Sequence, residues 1–447
     1  MPYFCVLILK GMLVYKFGGT SVGSPVRMKK VANLITQDDN NKIVVLSAVS
    51  GTTNKLIEIS EQAQKELESD AISKIQELKS EYITFIKGLI TQPEIAKKTK
   101  KFIDTIFGDL ASLVRLGGER IDKEVVAYGE LISTQLFQYY LEEKGVNSVL
   151  LPALDFMSLD SNEEPDIDKI SNQLKYQLKL HPDKQIYVTQ GFICRDLTGQ
   201  IDNLKRGGSD YTASIIGAAI AAEEVQIWTD IDGMHNNDPR VVKDTFPISE
   251  LSFDEAAELA YFGAKILHPS SILPAQKFNI PVRLKSTLNE NAPGTLINTK
   301  SEIGKVKAIA AKDGITAIKI KSSRMLLAHG FLRKVFEIFE RHKTSIDMIT
   351  TSEVAVSVTI DDDSKINEII SELQKFGFVE IDKEQTIICI VGNMISEEKG
   401  VLQKIFSAMD KFPVRMVSYG GSKYNISLLT DSKYKTDALI NLNDWLF

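Results

Sequence analysis

The chain has 447 residues, 43% of them hydrophobic and 25% charged, which is an ordinary composition for a globular protein. Domains commonly contain roughly 100–200 residues, so this length predicts two or three of them. The formal net charge of −6 argues against a nucleic-acid-binding protein, because such proteins need a basic surface that displaces counterions. An anionic substrate would therefore have to be attracted by a local site rather than by the net charge.

The cysteines and the first residues bear on where the chain resides. Cys5, Cys194 and Cys389 are widely separated and have no metal-binding spacing, so a reducing, cytoplasmic setting is predicted. The apolar run at 3–9 is too short to cross a membrane, and no membrane association is expected. A natural first strand starts with Met12, so residues 1–11 are expected to be either a non-native extension or a disordered tail.

Short apolar runs alternate with amphipathic stretches through the first two-thirds of the chain. The runs predicted as buried strands are 13–17, 43–47, 148–151, 186–189, 225–229 and 282–284. Ser24 can cap the helix after the first strand, and Pro25 suits its first position. Residues 54–115, rich in Lys and Glu, are predicted to form a helical excursion from the sheet. The alternation predicts an α/β domain over residues 12–300, with a mainly parallel sheet sandwiched by helices.

The pattern changes after a link at 291–305 that contains proline and glycine. The predicted elements that follow are strands 306–311, 315–320, 345–349, 354–360, 378–381, 386–391, 414–419 and 425–429, and helices 330–342, 364–375, 400–410 and 433–441. Their order gives the ferredoxin-like βαββαβ unit twice. The second unit lacks one strand unless the run at 306–311 completes it. The two units are therefore predicted at 315–382 and, discontinuously, at 305–312 with 385–447, and they resemble ACT domains, which are small-molecule sensors.

Two polar turns follow predicted strands. The residues Lys16-Phe17-Gly18-Gly19 end the first strand, and the segment 47–54 (Ser-Ala-Val-Ser-Gly-Thr-Thr-Asn) follows the second. Adjacent glycines let backbone N–H groups approach a phosphate, and a neighbouring lysine adds a positive charge. Ligands of open α/β sheets bind at the carboxyl ends of the strands, so the two turns are expected to share an anion site. The alternative is that they are two unrelated tight turns.

Two further segments carry polar residues that suit a binding site. In the string 206–212 (Arg-Gly-Gly-Ser-Asp-Tyr-Thr), Arg206 can hold a carboxylate through two hydrogen bonds. Asp210 falls in the first turn of a predicted helix, where a plain capping role is its alternative. In the string 262–269, Lys265 would by itself be a surface residue, and His268 is expected to pack or to cap rather than to act as a base.

The order of five motifs resembles that of the aspartate kinases, which belong to the amino-acid kinase family. The motifs are 16–21 (Lys-Phe-Gly-Gly-Thr-Ser), 128–130 (Tyr-Gly-Glu), 206–212, 228–230 (Trp-Thr-Asp) and 262–269 (Phe-Gly-Ala-Lys-Ile-Leu-His-Pro). The resemblance covers residues 12–447, including the tandem ACT units of the lysine-sensitive, single-function type. It implies the amino-acid kinase fold and ATP-dependent phosphorylation of the side-chain carboxylate of L-aspartate to 4-phospho-L-aspartate. That reaction is the first step of lysine, threonine and methionine biosynthesis.

The resemblance also implies roles for individual residues. The residues implied as catalytic are Lys16 and Asp210. The residues implied to bind aspartate are Ser47, Thr53, Glu130, Arg206 and Asp210. The residues implied to bind ATP are Lys16, Phe17, Gly18, Gly19, Thr229, Asp230, His235, Arg240 and Lys265. Relatives usually have a tyrosine in place of His235, a departure that concerns the contacts on the adenine side and not the reaction.

The expected chemistry requires little from the protein beyond positioning and charge. The nucleophile would be the carboxylate of the substrate, which is ionised at neutral pH, so no general base is needed. Mg²⁺ is expected to arrive with ATP rather than to occupy a metal site of the protein. One alternative is another carboxylate kinase of the same family, against which the Arg-Gly-Gly-Ser-Asp string and the ACT pair argue. The other is a non-catalytic amino-acid sensor, against which the joint presence of Lys16, Glu130, Arg206 and Asp210 argues.

Free lysine is the predicted allosteric inhibitor. Gly330 would let a ligand carboxylate meet N–H groups at a helix start, and Asp347 and Glu353 offer carboxylates to a ligand with two ammonium groups. The alternative is that these acidic residues are solvated strand ends. The pocket residues implied by the resemblance are Met325, Gly330, Phe331, Leu332, Ser345, Asp347, Ser352 and Glu353. ACT units usually pair side by side, so a homodimer formed through these domains is expected.

Overall fold

The computed structural model of the protein describes residues 11–65, 67–205, 207–263, 267–300, 302–322 and 329–447. The chain forms two compact units. The first contains the residues up to Met234 together with Ile266–Thr299, and the second contains His235–Lys265 and Lys300–Phe447. Residues 235–265, which lie inside the predicted domain 12–300, thus pack with the second unit. No α-helix among the described residues is both long enough and apolar enough to cross a membrane.

The helices and strands are numbered in chain order. The strands are β1 (Leu13–Phe17), β2 (Lys42–Leu46), β3 (Ser148–Leu150), β4 (Ile186–Gln190), β5 (Ile193–Arg195), β6 (Ile201–Asn203), β7 (Glu224–Thr229), β8 (Glu250–Ser252), β9 (Val282–Ser286), β10 (Thr295–Asn298), β11 (Val306–Lys321), β12 (Ile349–Thr351), β13 (Ala355–Ile360), β14 (Phe378–Gly392), β15 (Met416–Ser418) and β16 (Asn425–Asp431). The α-helices are α1 (Pro25–Ile35), α2 (Thr52–Gln64), α3 (Glu68–Leu89), α4 (Pro93–Leu116), α5 (Ile121–Glu143), α6 (Ile167–Leu180), α7 (Gly208–Ile220), α8 (Phe253–Tyr261), α9 (Leu273–Lys277), α10 (Phe331–Arg341), α11 (Ile366–Leu373), α12 (Val401–Ala408) and α13 (Lys435–Leu446).

Seven strands of the first unit lie side by side in the order β3-β4-β2-β1-β7-β9-β10. Neighbouring strands are parallel except β10, which runs antiparallel to β9. Every residue of β2 and of β4 is buried, as expected for strands covered by helices on both faces. The predicted fold class is confirmed, and each predicted strand of this unit forms. The short strands β5, β6, β8 and β10 were not predicted, because each is too brief to give a clear apolar run.

The helices of the first unit follow the expected pattern. The hydroxyl of Ser24 accepts a hydrogen bond from the backbone N–H of Arg27 at 3.3 Å, and Pro25 is the first residue of α1. The predicted excursion forms α2, α3 and α4, and α5 leads back to the sheet. The apolar faces of these helices share one core with strand residues such as Phe17 and Leu46. The excursion is therefore an integral part of the first unit.

The second unit is built on one six-stranded antiparallel sheet, in the order β12-β13-β11-β14-β16-β15. Helices α10 and α11 bury their apolar faces in one core beside this sheet, and α12 and α13 bury theirs in another. The expectation of two separate strands at 306–311 and 315–320 is wrong, because β11 is continuous. Its register shifts around Gly314, whose φ is 75°, so a local bulge bends the strand without ending it. The predicted strands at 378–381 and 386–391 are likewise merged in β14.

The first part of β11 pairs with the strand that opens the second predicted ACT unit. Val306 lies opposite Gly392, and Ala311 lies opposite Ile388. Farther along, Ile318 lies between Val358 and Ile381. This is the pairing that a discontinuous second ACT unit requires, and the domain boundaries themselves stay a prediction.

The predicted strand at 345–349 is displaced, since β12 covers Ile349–Thr351. Just before it, the N–H of Asp347 donates to the carbonyl of Thr359 at 2.9 Å. The N–H of Met348 donates instead to the Thr359 hydroxyl, also at 2.9 Å. The N–H of Thr359 in turn donates to the carbonyl of Met348 at 3.0 Å, so Asp347 and Met348 both lie opposite Thr359 in a bulge, and regular pairing begins only at Ile349.

A buried carboxylate fixes the start of α4. Glu143, the last residue of α5, accepts hydrogen bonds from the N–H of Thr91 at 2.8 Å, the N–H of Gln92 at 3.0 Å and the Thr91 hydroxyl at 2.8 Å. Its side chain is only 1% exposed. Burial acts to raise the pKa of Glu143, but these hydrogen bonds outweigh it and hold the pKa below 4.5. The carboxylate therefore serves as the cap that the α4 N-terminus otherwise lacks.

We expect Glu143→Gln to lower the free energy of unfolding by about 1–3 kcal/mol at pH 7, because a neutral amide replaces an acceptor with three donors. Since the folded-state pKa is depressed, the advantage of glutamate is present above pH 4.5 and is lost as the pH falls through the folded-state pKa. Urea unfolding at pH 7 and pH 4 measures both effects. The matched control is Glu142→Gln, whose side chain is 43% exposed and pairs with Lys98. An equal change in the two variants would contradict the capping role.

Candidate active site

The two glycine-containing turns of the first unit touch each other. They follow β1 and β2, which are parallel neighbours, so both leave the same edge of the sheet. A Cβ added to Gly19 would lie 2.9 Å from the carbonyl oxygen of Ala48, and a Cβ added to Gly18 would lie 3.3 Å from Nζ of Lys16. Side chains are therefore excluded where the turns meet, and backbone groups are left free to face a ligand.

Lys16 and Asp210 form an ion pair at this edge. Nζ of Lys16 lies 2.6 Å from Oδ1 of Asp210, and the two side chains are 12% and 15% exposed. Helix α7 begins after Gly207, which has a φ of 60° and provides no side-chain cap. Asp210 thus pairs with the lysine of the glycine turn, and it also lies in the first turn of its own helix, where the helix dipole favours a carboxylate.

A second contact joins the start of α7 to the other turn, which follows β2. The hydroxyl of Ser47 donates to the hydroxyl of Ser209 at 2.8 Å. A Cβ added to Gly191 would lie 2.3 Å from Oγ of Ser209, so a glycine is required where β4 ends. No role was predicted for Ser209 or for Gly191. Ser209 could have been found from its place inside the Arg-Gly-Gly-Ser-Asp string, whereas nothing in the sequence marks Gly191.

Glu130 is an acidic residue of the site that is buried and has a raised pKa. It is 3% exposed, and its Oε1 accepts a hydrogen bond from the N–H of Ala48 at 3.1 Å. Its Oε2 is buried and has no hydrogen-bond partner among the described residues. Burial raises the pKa of Glu130 to about 7, against the lowering effect of the Ala48 N–H. A buried carboxylate with one unused oxygen is suited to receive a cationic group.

Other predicted residues of the first unit lie near the ends of the central strands. Thr53 is half-buried in the first turn of α2. The hydroxyl of Thr229, at the end of β7, donates to the Asp230 carboxylate at 3.1 Å, and Thr287 donates to the Thr229 carbonyl through its N–H at 2.7 Å. A small cleft is lined by Thr20, Ser21, Arg27, Lys30, Val31, Asp230, Thr287 and Leu288. Two basic side chains at this cleft suit the phosphates of a nucleotide.

Two of the predicted ATP-binding residues that the structure describes, His235 and Arg240, belong to the second unit. Nδ1 of His235 lies 3.1 Å from the hydroxyl of Thr245. The guanidinium of Arg240 is 85% exposed and forms a bidentate pair with Asp238. His268, in the first unit, accepts a hydrogen bond from the N–H of Ser270 through Nδ1 at 3.2 Å, so it caps a short 3₁₀ helix as expected.

Three predicted site residues lie outside the described residues: Arg206, Lys265 and Met325. Residues 1–10, part of the predicted N-terminal extension, are outside them too.

The predicted effector residues of the second unit surround the start of α10 and the strand β12. Gly330 precedes α10 with a φ of 80° and no side-chain cap, and Phe331 and Leu332 form the first turn. Ser345, Ser352 and Glu353 are exposed, and the N–H of Ser352 donates to the carbonyl of Ala355 at 2.8 Å.

Asp347 differs from the other effector residues, because its side chain is fully buried. The alternative of a solvated strand end therefore fits Glu353 but not Asp347.

Comparisons with known proteins agree with this architecture. Residues 11–286 match the amino acid kinase family, and residues 388–445 match an ACT domain. Lysine-sensitive aspartokinase 3 of Escherichia coli is 33% identical over 98% of this chain and 99% of its own length. The chloroplastic aspartokinase 1 of Arabidopsis thaliana is 36% identical over 94% of this chain and 77% of its own length.

Solved structures give the same result. The crystal structure of E. coli aspartokinase III in complex with lysine and aspartate is similar with a TM-score of 0.85 and 32% identity, covering 98% of this chain and all of that chain. The aspartate kinase of Clostridium acetobutylicum has a TM-score of 0.86 and 26% identity, covering 97% and 100%. The chain therefore belongs to the amino-acid kinase family and, within it, to the aspartokinases. The resemblance and fold class predicted from the sequence are confirmed.

We expect the raised pKa of Glu130 to make stability depend on pH. A carboxyl group with a folded-state pKa of about 7 contributes stability that is present below its ordinary value of 4.5 and is lost as the pH rises through 7. Glu130→Gln removes this loss, so it should stabilise the ligand-free protein by on the order of 2–3 kcal/mol more at pH 8 than at pH 5. Urea unfolding at both pH values measures the difference. The exposed Glu142→Gln should show none, and a gain independent of pH for Glu130→Gln would contradict this account.

Proposed function

We propose that the chain is an aspartate kinase, which transfers the γ-phosphoryl group of ATP to the side-chain carboxylate of L-aspartate to give 4-phospho-L-aspartate. The observation that carries the proposal is the meeting of Lys16, Asp210 and Glu130 around two glycine-containing turns at one sheet edge. E. coli aspartokinase III has been solved with aspartate and ADP, and the chain is 33% identical to that protein over 98% of its own length. The glycine turn that holds Lys16 suits a phosphate donor. The carboxylates of Glu130 and Asp210 suit an amino-acid acceptor.

The acceptor side would be formed by Glu130, Asp210 and the serine pair. The unused Oε2 of Glu130 would accept hydrogen bonds from the ammonium group of aspartate, which gives that buried oxygen a partner. Ser47 and Thr53 would contact the substrate from the second turn. Arg206 would hold the α-carboxylate through its two-pronged guanidinium group.

The donor side would be formed by the glycine turn and the end of β7. Lys16 and the N–H groups beside Gly18 and Gly19 would stabilise the charge that develops on the transferred phosphoryl group. Phe17, Thr229, Asp230, His235, Arg240 and Lys265 are the residues that would contact the nucleotide, as the resemblance to the aspartate kinases implies.

The attack itself needs no proton transfer from the protein, because the aspartate carboxylate is already ionised at neutral pH. Mg²⁺ bound to ATP would neutralise charge on the phosphate oxygens. No group of three His, Cys, Asp or Glu side chains within the described ranges is placed to hold a metal ion, so the phosphates of ATP and water would supply most of the Mg²⁺ ligands. Asp210, paired with Lys16, keeps that lysine aimed at the turn until substrates arrive.

We expect Lys16→Met to lower kcat by roughly 10²–10³-fold, because it removes a charge that acts mainly in the transition state. The assay uses aspartate, ATP and Mg²⁺ with hydroxylamine, which traps the acyl phosphate. Lys98→Met, at an exposed pair with Glu142, is the control and should keep normal turnover. Wild-type protein that forms no hydroxamate from aspartate would overturn the proposed function, and near-normal turnover of Lys16→Met would overturn the role of Lys16.

We further propose that free lysine inhibits the enzyme by binding to the second unit. The E. coli relative is called lysine-sensitive and was solved with lysine. The α10 start at Gly330 offers N–H groups to a carboxylate, and Met325, Phe331, Leu332, Ser345 and Ser352 would enclose the side chain. Asp347 and Glu353 would receive the two ammonium groups. The edges of the sheet at β12 and β15 would pair side by side in a homodimer.

We expect lysine, but not threonine or methionine, to inhibit wild-type turnover. Glu353→Ala should raise the inhibitory lysine concentration by at least about tenfold, the usual scale of one charge-assisted hydrogen bond, without changing uninhibited turnover. Glu368→Ala, on the exposed side of α11, is the control. Inhibition by threonine alone would contradict the assignment of the effector.

A further inference from the structure

The buried carboxylate of Asp347 already has a cationic partner within the chain. Nζ of Lys312 lies 2.8 Å from its Oδ1, and the hydroxyl of Tyr261 donates to the same oxygen at 2.9 Å. Its Oδ2 is buried and without a hydrogen-bond partner among the described residues. Oδ1 of Asp347 is thus paired within the chain, and Oδ2 can accept a hydrogen bond from a ligand.

Lys312 is held by two carboxylates and an aromatic ring. It lies 2.8 Å from Oδ2 of Asp361, whose side chain is 42% exposed, and 4.6 Å from the centre of the Tyr261 ring. Its backbone lies at the register shift of β11, where the strand bends around Gly314. Asp361 is therefore a second carboxylate partner of Lys312 besides Asp347.

Tyr261 connects this cluster to a segment of the predicted nucleotide site. It is the last residue of α8, whose first turn is fixed by a capping box between Ser252 and Glu255. Two residues later, Gly263 has a φ of 131°, and a Cβ added there would lie 2.3 Å from the carbonyl oxygen of Ala311, the residue before Lys312. The segment that leads to Lys265 thus runs against the backbone beside Lys312.

We propose that Lys312 is an internal counter-ion that opposes binding of an effector ammonium group at Asp347, and that Tyr261 transmits occupancy of Asp347 to the segment preceding Lys265. The inference rests on the proposed lysine regulation and deepens it. No sequence motif pointed to Lys312 or Tyr261.

Simple electrostatics explains both parts. A buried carboxylate is costly without a cation, so Lys312 stabilises the protein when no effector is bound. An effector ammonium at Oδ2 would lie close to the Lys312 ammonium and would be repelled by it. Lys312 would then move away from Asp347 while it stays paired with Asp361, and the hydrogen bond from Tyr261 to Asp347 would adjust with it. Binding energy at the effector site is in this way coupled to α8.

The first test measures lysine binding by calorimetry, without substrates. Lys312→Met should lower the Kd for lysine by about tenfold, because it removes a like charge from a partly buried site. Lys383→Met removes an exposed lysine paired with Asp363 and should leave the Kd unchanged. An unchanged or higher Kd for Lys312→Met would overturn the counter-ion role, as would the absence of lysine binding to the wild type.

The second test separates binding from inhibition. Tyr261→Phe keeps the ring, which packs edge-on against Phe262, and removes only the hydroxyl. We expect the Kd of this variant for lysine to stay within about twofold of the wild-type value. The lysine concentration for half-inhibition should rise about tenfold, which is the scale of one lost hydrogen bond. Its kcat and KM without lysine should be unchanged. Equal shifts in binding and inhibition, or no shift in either, would overturn the transmitting role.

The readouts distinguish this inference from the proposed activity. Wild-type protein that binds lysine but forms no hydroxamate would overturn the aspartate kinase proposal and leave the counter-ion test valid. Protein that phosphorylates aspartate but does not bind lysine would overturn the inference and the proposed lysine regulation, and would leave the aspartate kinase proposal standing.

Discussion

The parallel pairing of β1 with β2 on one side and with β7 on the other is the constraint on which the candidate site depends. In this register Phe17 lies opposite Leu46 and Trp228, so the three strands end at the same level. The polar turns that follow must then converge, because the carboxyl ends of parallel strands share one edge. The small size of Gly19 and Gly191 lets the neighbouring segments approach within contact distance. Lys16 meets Asp210 for the same reason, although the two residues are far apart in the chain.

Three buried carboxylates differ in how many hydrogen-bond partners the protein provides for them, and the difference matches the roles proposed for them. Glu143 receives three hydrogen bonds and caps a helix, which is a purely structural task. Asp347 has a lysine and a tyrosine on one oxygen and an unused oxygen on the other. Glu130 has a single N–H donor and a pKa raised to about 7, so it is the least stabilised in the absence of a ligand. An incomplete set of partners at a buried charge marks a place where a ligand can contribute binding energy.

In the second unit, one sheet runs through both of the ACT units that the sequence predicts as separate. The long strands β11 and β14 run through both halves, so both halves share a backbone ladder rather than a flexible connection. Helix α8 lies among the residues of this unit, where Glu258 accepts hydrogen bonds from Ser422 and Asn425 and Tyr261 contacts Asp347. A change at either half can therefore reach α8 through contacts of a few side chains.

The sequence by itself determined the fold class, the buried strands of the first unit and the start of α1, because apolar periodicity and cap residues are local signals. It also predicted the site segments, since Lys16, Glu130 and Asp210 lie in motifs specific to the family, and the roles of all the site residues stay predictions on that basis.

Only the tertiary structure decided which of these groups meet. The Lys16–Asp210 pair, the contact of Ser47 with Ser209 and the burial of Glu130 all join distant parts of the chain. The continuity of β11 and the partners of Asp347 were likewise not readable in advance. Hydrogen-bond partners and burial depend on how elements pack together, and a local pattern holds no information about residues that become neighbours only after folding.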